Sequence, residues 1–406
     1  MSEAQTTSAE SDAATAAASA PASTRIGDLE INGQWQPHFK PVLEAFASNF
    51  AERGDVGASF AVVHKGELVV DIWGGHTDVA RTKPWQENTL INVFSTTKTM
   101  TFLAALVLAD RGILDLHAPV AKYWPEFAQA GKADVRVSHL LAHSAGLPGL
   151  DVLVEPADLY DWHRMTDLLA AQAPWWEPGT ASGYHAITQG YLIGEVIRRV
   201  TGRSFGLWLR DEITGPIGAD FHVGVSAEND SRVALLIPPA TGGLPDGGDP
   251  NSIAARTFRS PALSAVQSHE VNWRRAEIPA AGGHGNARSV VLTQSALVGG
   301  GLIGKNRRRL ISDGGARRAL EPQVSGVDLV LGVPITFGMG YGLVSPELPM
   351  SPNKNVVFWG GWGGSTIVID FDAQLAFSYV MNRMEPGALG DPRGLALGNA
   401  VYASLA

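Results

Sequence analysis

Between Phe94 and Ile113 the chain writes a helix with almost no polar face: Met100, Leu103, Ala104, Leu106, Val107 and Leu108 put apolar side chains on nearly every side before Arg111-Gly112 closes the run. Such a helix has no side to turn to water and belongs at the centre of a packed domain. Its first turn nonetheless carries Ser95 and Lys98 in Phe94-Ser95-Thr96-Thr97-Lys98. Three apart on a helix, they share a face, which brings an amine within hydrogen-bond reach of a hydroxyl. A serine hydroxyl is a poor nucleophile until a base takes its proton, and a lysine desolvated against an apolar helix is partly neutral and can be that base. The helix N-terminus also points N–H groups toward an oxyanion forming there. Taken alone, Ser-x-x-Lys has a plainer reading, a Ser N-cap followed by an exposed lysine, so the rest of the chain must decide.

Around this helix the pattern is ordered. Phe39, Val42, Leu43, Phe46 and Phe50 recur at helical spacing up to Arg53-Gly54-Asp55, and two β-branched runs, Ala58 to Val63 and Leu68 to Trp73, flank His64-Lys65-Gly66-Glu67 as a hairpin. Helical signals continue over Asp167 to Ala171 and Gln189 to Val200. A stretch rich in Gly, Pro, Asp and Ser from about Ala240 to Ala280 reads as a long loop or lid over a site. Strand signals return at Val356 to Trp359, Ser365 to Phe371 and Ala376 to Val380, and Leu395 to Leu405 closes as a helix. Strands at both ends and helices between predict an α/β sandwich: an antiparallel sheet built from both chain ends, flanked by helices, with a mostly helical subdomain inserted and the site in the groove between them. The corresponding boundaries are a disordered tail at 1–27, an α/β domain from 28–93 and 286–406, and the helical subdomain at 94–285.

Composition removes other classes. A chain of 406 residues with net charge -9 and no basic, aromatic-laced run offers no track for a nucleic acid. The absence of cysteine excludes disulfides, thiolate metal sites and a Cys nucleophile. Met1 to about Ser23 is rich in Ala, Ser and Thr, carries Glu3, Glu10 and Asp12, and lacks the basic and apolar regions of a secretory signal. No segment offers the roughly 20 unbroken apolar residues of a membrane span. These features predict a cytoplasmic protein; nothing in the pattern speaks to its oligomeric state.

The companions of Ser95 decide its reading. Asn92-Val93-Phe94-Ser95-Thr96-Thr97-Lys98, then Leu140-Leu141-Ala142-His143-Ser144-Ala145-Gly146-Leu147, then Trp176-Glu177-Pro178-Gly179 before Ser182-Gly183-Tyr184, and finally Phe358-Trp359-Gly360-Gly361-Trp362-Gly363-Gly364-Ser365 stand in order along the chain. From roughly Val56 to the C-terminus the chain thereby resembles the serine β-lactamase and penicillin-binding-protein superfamily, and within it the family VIII carboxylesterases. The resemblance implies an acyl-enzyme on Ser95, with Lys98 sharing its proton and Tyr184 acting as general base and then as acid to the leaving group. Such a phenol needs a nearby cation to depress its pKa, and Lys98 is the candidate. It further implies an edge strand at Trp359-Gly360-Gly361 beside which the substrate lies, and an oxyanion hole from the N–H groups of Ser95 and Trp362. His185 is expected to line the pocket, with His284 in a bordering loop.

Two departures bear on substrate. Where the family's β-lactamases carry Tyr-x-Asn, this chain has Tyr184-His185-Ala186, and where they carry Lys-Thr-Gly it has Trp359 in place of the Lys. A cation for a substrate carboxylate is replaced by an aromatic wall, which argues for esters of small to medium acyl groups over β-lactams or D-Ala-D-Ala peptides. Small amides, and acyl transfer to an alcohol at the same Ser-Lys-Tyr centre, remain compatible, as does a non-catalytic binding protein that keeps the fold. No metal or organic cofactor is implied. His139 and His143 stand four apart without the partners of a metal site. Gly202-Arg203-Ser204-Phe205-Gly206 matches the G-x-S-x-G elbow but lies between two helical stretches, so it reads as a helix–helix turn.

Overall fold

The computed structural model describes residues 22–239, 249–299, 302–303, 308–387 and 389–406. In chain order the strands are β1 (Ala22–Ile26), β2 (Leu29–Trp35), β3 (Gly57–His64), β4 (Glu67–Gly75), β5 (Ile91–Asn92), β6 (His222–Val223), β7 (Gly283–Gly285), β8 (Leu302–Ile303), β9 (Arg308–Arg309), β10 (Val324–Val327), β11 (Pro334–Phe337), β12 (Gly342–Leu343), β13 (Val356–Gly360), β14 (Thr366–Asp370) and β15 (Leu375–Met381). Ten form one antiparallel sheet in the order β1-β2-β4-β3-β15-β14-β13-β12-β11-β10. The two chain ends meet in its middle, where β3 pairs with β15 and Phe60 stands opposite Tyr379.

Both faces of that central pair are covered. On one face Phe60 meets Phe377, which in turn meets Tyr402 of the C-terminal helix Pro392–Leu405. That helix packs beside α1 (Lys40–Glu52). On the other face the Ser59 hydroxyl accepts the N–H of Ala287 at the start of the helix Ala287–Gln294. Alternating residues therefore meet apolar partners on both sides, and this explains why β3 is buried from Gly57 through Val63 rather than every second residue. The nearly all-apolar helix is central, as its pattern predicts: α2 (Lys98–Asp110) is buried from Lys98 to Leu108 and packs on the helices Thr188–Thr201, Asp313–Arg317 and Ala287–Gln294.

Four expectations need correction. Residues 1–21 lie outside the described part, but Ala22–Ile26 is not tail: it pairs with β2 as an exposed edge strand, whose Ala-Ser-Thr composition reads like the tail it follows. The long loop is also less open than its composition suggests. Residues 240–248 lie outside the described part, and the rest holds the helices Ile253–Arg259, capped by the Ser252 hydroxyl on the Ala255 N–H, and Val271–Arg275. The first turn of the central helix is a 3-10 turn, Phe94–Thr97, so Ser95 precedes the α-helix rather than lying on it. Lastly, β13 is not a sheet edge: β12 pairs with it at Phe358 and Val357 and ends there, leaving Trp359 and Gly360 without a paired strand on that side among the described residues.

Candidate active site

Ser95 is presented by a turn that is held from two sides. Asn92 donates through Nδ2 to the carbonyls of Ala281 (2.9 Å) and Gly283 (3.2 Å), and the Gly283 N–H donates to the Thr97 hydroxyl (2.9 Å). These bonds extend the small sheet β5-β7-β6 onto the turn. Phe94 has φ +42°. A bulky residue in that region costs about 1–3 kcal/mol and persists where packing enforces it; here its ring is wedged against Trp362, centroids 5.1 Å apart, and Trp273, 6.2 Å. The bend at Phe94 leaves Ser95 half-buried, while Phe94 before it and Thr96, Thr97 and Lys98 after it are buried.

Two side chains converge on the Ser95 hydroxyl. Lys98 Nζ lies 3.1 Å from Ser95 Oγ and also faces the carbonyls of Ala186 (2.7 Å) and Ala280 (3.0 Å). Tyr184 Oη lies 2.5 Å from Ser95 Oγ. Burial, with no counter-charge, pushes the Lys98 ammonium well below its ordinary pKa. A neutral amine has two N–H donors and one lone pair. Two carbonyls take the donors, and the lone pair is left for the Ser95 proton.

Burial acts on Tyr184 in the opposite sense and raises its pKa, outweighing the hydrogen bond with Ser95 and the nearby Trp359 indole, and the charge of Asp328 adds to the rise. The depressed phenol expected from the sequence is therefore not found. The lysine meant to supply the charge is itself driven toward its neutral form by the same desolvation, although its Nζ sits 4.7 Å from the Tyr184 ring centroid.

The glycine-rich segment brings a second backbone against Ser95. A side chain at Gly361 would strike the Val93 carbonyl at 2.2 Å and come within 3.2 Å of the Ser95 nitrogen, so only glycine permits this approach. The Gly361 carbonyl accepts the Gly364 N–H (3.0 Å), which turns the opposite side of the same peptide, the Trp362 N–H, away from that turn. Among the described residues the Trp362 N–H has no backbone partner. The Ser365 hydroxyl closes the junction, donating to the Val93 carbonyl (2.9 Å) and meeting the Thr96 hydroxyl (2.9 Å).

A cavity of about 480 Å³ at Ser95 is lined by Phe94, Trp362, Ala281, Pro148 and Ile187 and by the helix Ile253–Arg259 with Ser260 to Leu263. Ser95, Tyr184 and Trp362 line it. His185, Trp359, Gly360 and Gly361, expected at the substrate, do not. His185 is fully buried, its Nδ1 on the Gly183 carbonyl (2.6 Å) and its Nε2 accepting the Leu147 N–H (3.1 Å), a cross-link between loops; burial lowers its pKa to about 3. Trp359 is also buried, its ring 5.5 Å from Tyr184 and 5.8 Å from His143, so it forms a wall behind the tyrosine rather than a surface for substrate. Gly360 is occupied by its pairing with Thr366, and Gly361 by its contact with the Ser95 turn. His284 is likewise buried rather than exposed in a bordering loop, with Nδ1 on the Gly282 carbonyl (2.9 Å).

Ser204 lies far from this chemistry in its bonding: its hydroxyl and the Gly206 N–H both bond the Glu277 carboxylate (2.6 and 2.9 Å), which makes it a helix-end contact. Among the described residues no group of His, Asp and Glu is arranged to hold a metal ion. No helix among them is long and apolar enough to cross a membrane. Polar residues at the site that no local pattern marks include Ser260 in the cavity lining and Asp328 beside Tyr184. Asp328 accepts the Tyr184 N–H (3.0 Å) from 144 residues away, a separation across which no local pattern announces a contact.

The profile of the Beta-lactamase family matches residues 46–400. The chain belongs to the beta-lactamase family. Among curated relatives it is 36% identical over 379 residues to the esterase/beta-lactamase LipL of Mycobacterium tuberculosis, covering 87% of this chain and 83% of that protein. Among solved structures it is similar to a family VIII carboxylesterase, at 42% identity and a TM-score of 0.86, covering 92% of this chain and 99% of the other. A penicillin-binding-protein homologue from Caulobacter crescentus follows at 39% identity and a TM-score of 0.85, with the same coverage. The sandwich expected from the order of strands and helices is the fold of this family.

Proposed function

We propose that the protein is a serine carboxylesterase of the beta-lactamase type, hydrolysing esters of small to medium acyl groups through an acyl-enzyme on Ser95. The observation that carries this is the convergence of Lys98 Nζ and Tyr184 Oη on Ser95 Oγ at the end of a largely apolar cavity. The relatives described as esterases support it.

In this reading Ser95 Oγ bonds to the ester carbonyl carbon as its proton passes to neutral Lys98. The resulting oxyanion lies against the N–H groups of Ser95 and Trp362. As the tetrahedral centre collapses, the bond to the alcohol oxygen breaks and that oxygen takes the Tyr184 proton, which Lys98 replaces. Water then attacks the acyl carbon and the proton path runs in reverse. Burial of Tyr184 suits it to start as an acid, while the base in the first step is Lys98.

The test is hydrolysis of p-nitrophenyl acetate and butyrate by the wild type, Ser95→Ala and Ser204→Ala. Turnover lost in Ser95→Ala and kept in Ser204→Ala is the expected result; loss in Ser204→Ala, or none in Ser95→Ala, overturns it.

A further inference from the structure

Tyr184 has to hold its hydroxyl at Ser95 Oγ, yet no regular element carries it: it lies in an irregular stretch between Gly179 and the helix that begins at Thr188. What fixes it comes from the far end of the chain. The turn after β10 places Asp328, 1% exposed, so that one carboxylate oxygen, Oδ1, accepts three backbone N–H groups: Tyr184 (3.0 Å), Val330 (2.9 Å) and Leu331 (2.8 Å). A fourth bond runs alongside, from the Leu329 N–H to the Ser182 carbonyl (2.9 Å). The second carboxylate oxygen, Oδ2, is buried and has no hydrogen-bond partner among the described residues.

A turn that merely needed to be closed would be served by the bonds to Val330 and Leu331. The bond to Tyr184 and the unpaired second oxygen are what that purpose leaves unexplained, since an unpaired buried acceptor costs stability. We propose that Asp328 is the positioning residue for Tyr184, clamping its backbone to the Asp328–Leu331 turn through Oδ1 so that the phenol is held on Ser95. The inference rests on the reading of Tyr184 as proton donor to the leaving group. Because all three bonds end on one oxygen, an asparagine, which keeps that oxygen in the same place, is able to replace the carboxylate.

A donor that drifts from its place hurts only those substrates that need the proton. The departing oxygen of ethyl butyrate must be protonated, whereas p-nitrophenolate leaves as an anion. The experiment compares kcat/KM for ethyl butyrate and p-nitrophenyl butyrate in the wild type, Asp328→Ala, Asp328→Asn and Tyr184→Phe.

The expected result is that Asp328→Ala loses about 10-fold or more beyond its loss on p-nitrophenyl butyrate when assayed with ethyl butyrate, and that Asp328→Asn restores the ratio. Should Asp328→Ala not yield folded protein, Asp328→Ser, whose oxygen falls one bond short, makes the same comparison. Equal losses on both esters, as a general loosening of the fold would give, overturn the inference, and so does a failure of asparagine to restore the ratio. If Tyr184→Phe itself does not discriminate between the esters, it is the proton-donor reading of Tyr184 that fails. If it discriminates and Asp328→Ala does not, the failure belongs to Asp328 alone.

Discussion

At the scale of residues, the site works by desolvation. Lys98 is fully buried against two carbonyls, with no carboxylate bonded to it among the described residues, so its ammonium gives up a proton more readily than a solvated one. On the proposed mechanism the proton that must be absent for catalysis is the one on Lys98, and kcat/KM is expected to fall as the pH drops through its depressed value, with full activity above. His143 and His185, buried and held neutral, do not add a second limb at ordinary pH. Lys98→Met, close in shape but without a lone pair of that basicity, is predicted to lower kcat by roughly 10²–10⁴-fold and to remove the acid limb from any activity that remains. A pH profile of both proteins checks this, and a variant that keeps the wild-type limb contradicts it.

The convergence of Lys98 and Tyr184 on Ser95 was legible in the sequence because motif order carries it. His185 and Trp359 were misplaced because motif position says that a residue is near the site, not which way it faces. Asp328 was illegible, its partner lying 144 positions away.

At the scale of elements, the decisive contact is between two backbones, the Phe94–Thr97 turn and the Gly-rich end of β13. Gly361 is its hinge pin: an added methyl meets the Val93 carbonyl at 2.2 Å, and that carbonyl is backbone held by the Ser365 hydroxyl. Gly361→Ala is expected to push the Trp362 N–H away from Ser95, costing about 10²-fold or more in kcat, the scale on which loss of an oxyanion donor acts. Steady-state kinetics with a far-UV dichroism spectrum tests it; normal kcat in a folded variant refutes the role given to this turn.

Elements with strong periodicity, such as α1, α2 and the β3–β4 hairpin, were readable from spacing alone. The helix Ile253–Arg259, which walls the cavity, was not. Its seven residues sit in a Gly- and Pro-rich stretch, and a single Ser cap is a weak signal there.

At the scale of the whole molecule, the sheet joins both chain ends, and its stability is linked to histidines far apart in sequence. Burial lowers His284 to about 4 and His185 to about 3, and drives His143 well below its usual value. Because the folded chain binds fewer protons than the unfolded chain below about pH 6.5, the stability these groups contribute is present in full above that pH and is lost as pH falls toward the folded values. For His284 the loss is about 3 kcal/mol across the window from 6.5 to 4. Melting temperature is therefore expected to fall from pH 7 to pH 4, and less steeply in His284→Gln; identical slopes would contradict the assignment.

The architecture itself was legible from the order of strands and helices. The edge strand β1 was not, since one exposed strand on an Ala-Ser-Thr background has no buried face to mark it.

In the proposed mechanism Ser95 forms the covalent bond to the acyl group. The most direct test of that step is intact mass and peptide mapping after treatment with a serine-directed p-nitrophenyl phosphonate. One adduct is expected, mapped to Ser95 and absent from Ser95→Ala. An adduct on Ser204 or on any other residue, or labelling that persists in Ser95→Ala, would contradict it.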